Sequence, residues 1–125
     1  MLGDYPIYPV LLATDLGATR DFYHGKLGLE IISESDSSID FRSGLTRFNV
    51  NLSTTGTADT QTQAGWEVTD LRAELADLRR RGVAIEEYDM PGLKTEDGIA
   101  DIGSALIAWI VDPGGNALGI LERKT

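Results

Sequence analysis

The chain has 125 residues, of which 42% are hydrophobic, and it carries a net charge of −9 and no cysteine. This length is sufficient for one domain with a buried core. The lack of cysteine excludes disulfides, thiolate metal ligands and a thiol nucleophile. The negative charge disfavours binding to nucleic acid and to anionic membranes. The first residues have no basic start and no apolar run, and no window reaches the length of a membrane span, so we expect a cytoplasmic protein.

The first half of the chain predicts one helix among four strands. Asp15 precedes apolar residues at helical spacing, which predicts a helix that begins there and ends near Gly25 and Gly28. Apolar or alternating runs bounded by turn formers predict strands at 8–14, 29–33, 38–42 and 46–53. The predicted order is therefore β, α, β, β, β. His24, the only histidine, stands at the end of the helix, where we expect it to contact terminal backbone carbonyls.

The second half repeats this order after a polar stretch at about 55–62, which we interpret as a linker. Asp70 predicts the start of a second helix, and Gly82 predicts its end. Strands are predicted at 63–69, 83–88, 105–111 and 117–121, with a polar loop at 89–101. The strand-to-helix junction at 13–16 has a close counterpart at 68–71. Together with the matching order of elements, this similarity indicates an internal duplication.

A dense run of turn formers, Asp112-Pro113-Gly114-Gly115-Asn116, separates the last two predicted strands. Asp and Asn can bond to their own backbone, Pro fixes φ, and Gly permits positive φ. The run therefore predicts a hairpin with a loop of about five residues. This hairpin places Trp109 and Gly119 on neighbouring strands.

These features together resemble the vicinal oxygen chelate superfamily, also called the glyoxalase, bleomycin resistance protein and extradiol dioxygenase superfamily. The resemblance covers nearly the whole chain. Its motifs are Asp15-Leu16, Asp21-Phe22-Tyr23, Leu27-Gly28-Leu29, Asp70-Leu71 and the DPGGN hairpin at 112–116. The stretches at 87–95 and 97–100 resemble a subgroup of small members that have no assigned function.

The resemblance implies an α+β fold of two βαβββ modules. Their curved mixed sheets would form a cup, with the helices packed on the convex side, away from the cavity. It also implies a single domain over 1–125, with module one at about 5–54, the linker at about 55–62 and module two at about 63–123.

In the metal enzymes of this superfamily, two His and one Glu commonly bind the ion. Each His stands seven residues before an Asp-Leu pair, and the Glu stands seven residues after the hairpin Asp. Here these three positions, called the metal stations below, hold Tyr8, Gln63 and Gly119. A transition metal at such a site needs imidazole and carboxylate donors. The resemblance therefore implies no metal of this kind and no cofactor, while a carboxylate-rich site stays open as an alternative.

Strand alternation separates side chains that face a cavity from those that pack under the helices. Leu11 and Ala13 are assigned to the helix side, as are Phe48, Val50 and Leu52. The remaining positions predict an aromatic and polar cavity lining: Tyr8, Arg47, Asn49, Asn51, Gln63, Glu67 and Trp109. Part of this surface is alternatively a dimer interface.

Three polar residues have two interpretations each. Glu67 is either a general base whose pKa is raised by burial, or a surface carboxylate that pairs with Arg47 or stays in water. Lys94 and Thr95 lie in the long loop, where they either contact a ligand or are simply solvated.

The predicted lining suits a small, partly aromatic organic ligand. Our leading hypothesis is a cytoplasmic, metal-independent glyoxalase-like homodimer that sequesters such a ligand, as resistance proteins of the superfamily do. One alternative is a metal-free isomerase, epimerase or lyase, in which Glu67 is the base and Tyr8 or Gln63 polarises a carbonyl. Others are a metal-dependent lyase or dioxygenase with non-standard ligands and an interaction module without a small ligand. Neither nucleic acid nor a membrane is expected as a partner.

Overall fold

The computed structural model describes residues 1–58 and 60–125, and it has the predicted α+β fold. The strands in chain order are β1 (Val10–Ala13), β2 (Glu30–Glu34), β3 (Ser38–Ser43), β4 (Thr46–Leu52), β5 (Thr62–Glu67), β6 (Asp89–Met90), β7 (Leu93–Lys94), β8 (Ala100–Asp101), β9 (Ala105–Val111) and β10 (Ala117–Arg123). The two α-helices are α1 (Leu16–Arg20) and α2 (Leu71–Arg80). A 3₁₀ turn at Leu2–Asp4 precedes them. Among the described residues, no helix has the length and apolar character needed to cross a bilayer.

Two four-stranded mixed sheets with equivalent strand orders form the body of the fold. The first sheet has the order β1-β4-β3-β2, and the second has the order β5-β10-β9-β8. In each sheet the first strand pairs in parallel with the last strand of its own module, and the other pairs are antiparallel. β6 and β7 form a separate small hairpin. This equivalence is the repeated arrangement that the sequence predicts.

Both helices begin at the predicted aspartates. Asp15 accepts a hydrogen bond from the Ala18 N–H at 3.0 Å, and Asp70 accepts one from the Ala73 N–H at 3.1 Å. Each carboxylate thus satisfies a backbone donor that has no partner within the helix. Because α1 packs on β3 and α2 packs on β9 and β10, each helix covers its own sheet.

The first helix departs from α geometry after Arg20 and continues as a π-helix, Asp21–Lys26. The wider turn buries two consecutive aromatic side chains, Phe22 and Tyr23. At its end the His24 Nδ1 lies 2.7 Å from the carbonyl oxygen of Leu29, which is the kind of contact predicted for this histidine.

The core is continuous between the two sheets. The predicted alternation is confirmed on β1, where Leu11 and Ala13 are buried while Val10 and Leu12 are partly exposed. The prediction for Leu52 is wrong: its side chain is 47% exposed, because it ends β4 where the chain leaves the sheet. The core draws on both modules and contains Leu11, Phe41, Val50, Leu71, Leu75, Ile110 and Leu118.

The DPGGN turn joins the second module to the first. The buried Asp112 carboxylate accepts hydrogen bonds from the Tyr23 hydroxyl at 2.6 Å and from the backbone N–H groups of Gly114 and Asn116 at 2.9 and 2.8 Å. The Asn116 amide donates to the Leu12 carbonyl oxygen at 2.8 Å. Burial, together with the charge and hydrogen bonding of Asp112, raises the pKa of the Tyr23 phenol well above its usual value. We call these interactions the module latch.

The predicted strand at 83–88 is wrong. The Glu86 N–H of this segment donates one hydrogen bond to the Trp109 carbonyl oxygen of β9, at 2.9 Å, but the chain then turns away from β9. The Glu87 carboxylate accepts hydrogen bonds from the Thr95 hydroxyl and the Gly98 N–H, both at 2.7 Å, and these contacts close a loop. The place beside β9 is taken by β8, so the predicted polar loop contains three short strands.

Candidate functional site

Polar side chains on the outer face of the first sheet, opposite its helix, are organised around Asp40. Its carboxylate accepts hydrogen bonds from Asn49 Nδ2 at 2.7 Å and from the Ser33 hydroxyl at 3.1 Å, and it lies 3.5 Å from Arg47 Nη1. The Arg47 guanidinium lies over the Tyr8 ring, with Cζ 4.7 Å from the ring centroid. Arg47 and Asn49, both predicted to line the cavity, thus contact the Asp40 carboxylate, and Arg47 in turn contacts the predicted Tyr8.

The sequence analysis did not identify Asp40. The signal was present in the alternation of β3, because Ile39 and Phe41 are fully buried and leave Asp40 on the other face. Asn51 lies on the same face near the end of β4, in register with Leu12. The outer face of the first sheet therefore combines a hydrogen-bonded polar cluster with partly exposed apolar side chains on β1.

Trp109 dominates the outer face of the second sheet. Its indole Nε1 donates to the Thr62 hydroxyl at 3.1 Å, and its ring meets the Tyr88 ring edge-on with centroids 5.4 Å apart. Burial, and secondarily the nearby Glu86 charge, raises the pKa of the Tyr88 phenol. Next to Trp109 in register stands Gly119, at one of the metal stations. Beside these residues lies an open depression of about 330 Å³. The residues that line it include Thr62, Gly65, Glu67, Ile107, Gly119, Leu121 and Arg123.

Glu67 stands at the rim of this depression and is exposed. Its carboxylate forms an ion pair with Arg123, which the sequence analysis missed because the predicted strand stopped at residue 121. The suggested pairing of Glu67 with Arg47 is not found, since Arg47 pairs with Asp40. Glu67 is therefore not buried, in contrast to the burial that the general-base hypothesis assumes.

The other predicted site residues occupy different surroundings. Gln63 is exposed, donates to the Gln61 carbonyl oxygen at 3.0 Å, and borders a depression beside Val10 and Leu12. Lys94 is exposed on β7. Thr95 is buried, and its hydroxyl accepts from the Tyr88 N–H at 2.8 Å and donates to Glu87. The contacts of Thr95 hold the loop together.

The side chains at the three metal stations do not fit the metal site of the superfamily. The Tyr8 ring is covered by Arg47, Gln63 supplies an amide, and Gly119 supplies no side chain. In the part of the chain that the structure describes, no three His, Cys, Asp or Glu side chains are grouped closely enough to hold a metal ion.

A family model for the Glyoxalase/Bleomycin resistance protein/Dioxygenase superfamily matches residues 7–120. Solved structures with the same fold include the bleomycin-binding protein from bleomycin-producing Streptomyces verticillus complexed with copper(II)-bleomycin. That protein is 24% identical, with a TM-score of 0.74, and the match covers 96% of this chain and 97% of that chain. A glyoxalase family protein from Enterococcus faecalis is 18% identical, with a TM-score of 0.73 and coverage of 98% and 100%.

A lactoylglutathione lyase from Agrobacterium tumefaciens is 19% identical, with a TM-score of 0.67 and coverage of 94% and 92%. At these identities, the structural similarity shows the fold alone. A comparison with curated proteins found no match.

Proposed function

The chain belongs to the glyoxalase/bleomycin resistance protein/dioxygenase superfamily, and on that premise we propose that it binds a small, partly aromatic organic molecule on the outer faces of its sheets. In this proposal the protein is a cytoplasmic homodimer that sequesters its ligand without a metal ion. Binding of this kind requires shape and apolar contact but no acid or base.

The placement of Trp109 carries the proposal. Trp109 lies partly exposed on the outer face, beside a depression and against the edge of the Tyr88 ring. Tyr8, which precedes β1 at the first sheet, is 45% exposed. Aromatic side chains with one accessible surface supply large contact areas to planar ligands. The bleomycin-binding protein of the same fold is a relative whose ligand is a small organic molecule.

The chemistry of the donor set at the metal stations supports the proposed metal independence. An amide, a phenol covered by a guanidinium and a glycine do not supply the imidazole and carboxylate donors that a transition metal prefers. Homodimerisation is what the resemblance implies for a short chain of two modules. In the dimer, part of the exposed apolar surface of β1, including Val10 and Leu12, would be covered.

No observation favours the alternative in which Glu67 acts as a general base. Its carboxylate is exposed and pairs with Arg123 at the rim, so its surroundings do not supply the desolvation that such a base needs. An isomerase, epimerase or lyase activity would therefore need a different base.

The proposal is tested by a thermal-shift screen of aromatic compounds that includes bleomycin. We expect at least one compound to raise the melting temperature of the native protein. We also expect Trp109→Ala to weaken binding of that compound at least tenfold, since the indole supplies much of the contact area. Leu45→Ala, at a fully exposed turn position, is the matched control and leaves the affinity unchanged. A screen in which no aromatic compound stabilises the protein would contradict the proposal.

A further inference from the structure

A crevice between the two modules is left open where β4 begins. Its volume is about 130 Å³, and its walls are mainly apolar, formed by Leu11, Phe48, Ala64, Trp66 and Leu118. Protein interiors are close-packed, and voids larger than a water molecule are few. An apolar cavity of about 150 Å³ is known to be large enough to bind benzene. The crevice therefore has room for one six-membered ring or a short alkyl chain.

A cation stands at the mouth of this apolar crevice. The Arg47 side chain lines it and is about half exposed. Within the described chain, the contacts of its guanidinium are Asp40 at 3.5 Å and the face of the Tyr8 ring. A guanidinium carries five N–H donors in one plane, so stacking on Tyr8 leaves most of these donors directed outward around its edge. Arg47 is thus both held in position and able to donate further hydrogen bonds.

Ser43 also lines the crevice, on the helix side of β3, opposite to the face that carries Arg47. Ser43 Oγ accepts a hydrogen bond from Trp66 Nε1 at 2.9 Å, which leaves the proton of the Ser43 hydroxyl free to point elsewhere. A planar carboxylate is the group that a guanidinium edge binds best, often through two parallel hydrogen bonds. Arg47 therefore offers donors to an anion, while the walls of the crevice offer mainly apolar contact.

We infer that this crevice binds the apolar end of a small aryl or alkyl carboxylate, with the carboxylate held by the Arg47 guanidinium. The inference rests on the proposed function, because Arg47 belongs to the outer face of the first sheet. It goes further in that it specifies an anionic ligand and the part of that ligand that is buried. Asp40 acts here as a positioning residue: it orients the guanidinium and does not touch the ligand.

Three simple compounds separate the two requirements. Phenylacetate has both the ring and the charge, 2-phenylethanol has the ring alone, and acetate has the charge alone. Measured by NMR titration of the native protein, phenylacetate is expected to bind at least tenfold more tightly than either of the others. Equal binding of phenylacetate and acetate would overturn the inference, because the crevice would then contribute nothing.

Two variants test the two ends of the crevice. Arg47→Gln is expected to weaken phenylacetate binding at least tenfold and to leave 2-phenylethanol unaffected. Ala64→Leu, which fills the crevice, is expected to weaken both compounds. Arg42→Gln is the matched control, because Arg42 lies on the same sheet but pairs with Glu30 at an exposed edge. Unchanged phenylacetate binding by Arg47→Gln overturns the inference even where Ala64→Leu fails to fold.

Failure of this inference can be distinguished from failure of the proposed function. If Trp109→Ala weakens the binding of neutral aromatic compounds but Arg47→Gln leaves phenylacetate binding unchanged, only this inference is contradicted. When no aromatic compound binds at all, phenylacetate included, both are lost.

Discussion

The two modules have the same strand order but different surroundings at three corresponding places. The turn between β3 and β4 is exposed, with Leu45 fully accessible, whereas the turn between β9 and β10 is buried in the first module through Asp112 and Asn116. The edge strand β2 has five residues, but its counterpart β8 has two and is preceded by a closed loop. The outer face of the first sheet carries a polar cluster around Asp40, and that of the second carries Trp109 beside Gly119.

This comparison shows that duplication of a fold does not duplicate its interactions. Strand order follows from the repeated hydrophobic pattern, which both modules share. Side chains at turns, edges and outer faces are not constrained by that pattern, so they differ between the modules. One turn has become the module latch, and the two outer faces present different chemistry to a ligand.

The largest expected effect on stability comes from removing the buried interactions of the turn between β9 and β10. Asp112→Ala removes the acceptor shared by Tyr23, Gly114 and Asn116, and leaves buried donors without partners. Because each buried unsatisfied group costs about 1–3 kcal/mol, we expect a loss of about 3 kcal/mol or more in the free energy of unfolding, measured by urea denaturation. Leu45→Ala at the corresponding exposed turn should change it by less than about 0.5 kcal/mol. Similar losses in the free energy of unfolding for the two variants would show that the module latch stabilises the fold no more than the exposed turn does.

A smaller effect is expected at the other end of the latch. Tyr23→Phe removes one buried hydrogen bond to a carboxylate, which should lower the free energy of unfolding by about 1.5 kcal/mol near neutral pH. The pKa of Tyr23 is raised in the folded state, so the stability linked to its protonated phenol is present below the unfolded value of about 10 and is lost as the pH rises above it. The difference between the native protein and Tyr23→Phe should therefore shrink above pH 10. A constant difference up to pH 11 would contradict this account.

A smaller, local loss of stability is expected when the loop that Glu87 closes before β8 is weakened. Thr95→Val keeps the shape of the buried side chain but removes the hydroxyl that bonds to Glu87 and to the Tyr88 N–H. We expect a loss of about 1 kcal/mol and faster amide hydrogen exchange in the segment 87–98. Thr54→Val, at an exposed position after β4, serves as the control. Unchanged exchange in 87–98 would show that another contact closes the loop.

The smallest effect is expected at the rim of the second outer face. Glu67→Gln breaks only an exposed ion pair with Arg123, so the free energy of unfolding should change by less than about 0.5 kcal/mol. Ligand affinity, measured by calorimetry, should change less than about twofold on the same reasoning. Loss of turnover on a demonstrated substrate in Glu67→Gln would instead restore the general-base hypothesis.

The sequence predicted those features that depend on neighbouring residues. Asp15 and Asp70 were identified as helix starts because capping acts over three residues, and the alternation of β1 separated the two faces of that strand. The strand at 83–88 was wrong, because its apolar residues gave no sign that Glu87 would bond to Gly98 and turn the chain away.

The candidate site was harder to predict than the fold. Pairing partners such as Asp40 for Arg47 lie on other strands, and nothing in the local pattern specifies the register that brings them together. The burial of Thr95 likewise depends on a loop closed by Glu87. Sequence reasoning placed the outward-facing residues on the correct strands, but their contacts depended on tertiary structure.

The central claim is that a small organic ligand binds on the outer faces without a metal ion. NMR titration of the native protein with the most stabilising aromatic compound, with and without EDTA, tests it most directly. The account predicts amide shifts centred on the outer-face positions, such as Gly65, Trp109 and Gly119, and an affinity that EDTA does not alter. Shifts confined to α2 and the helix side of the sheets, or binding that EDTA abolishes and added nickel or zinc restores, would contradict it.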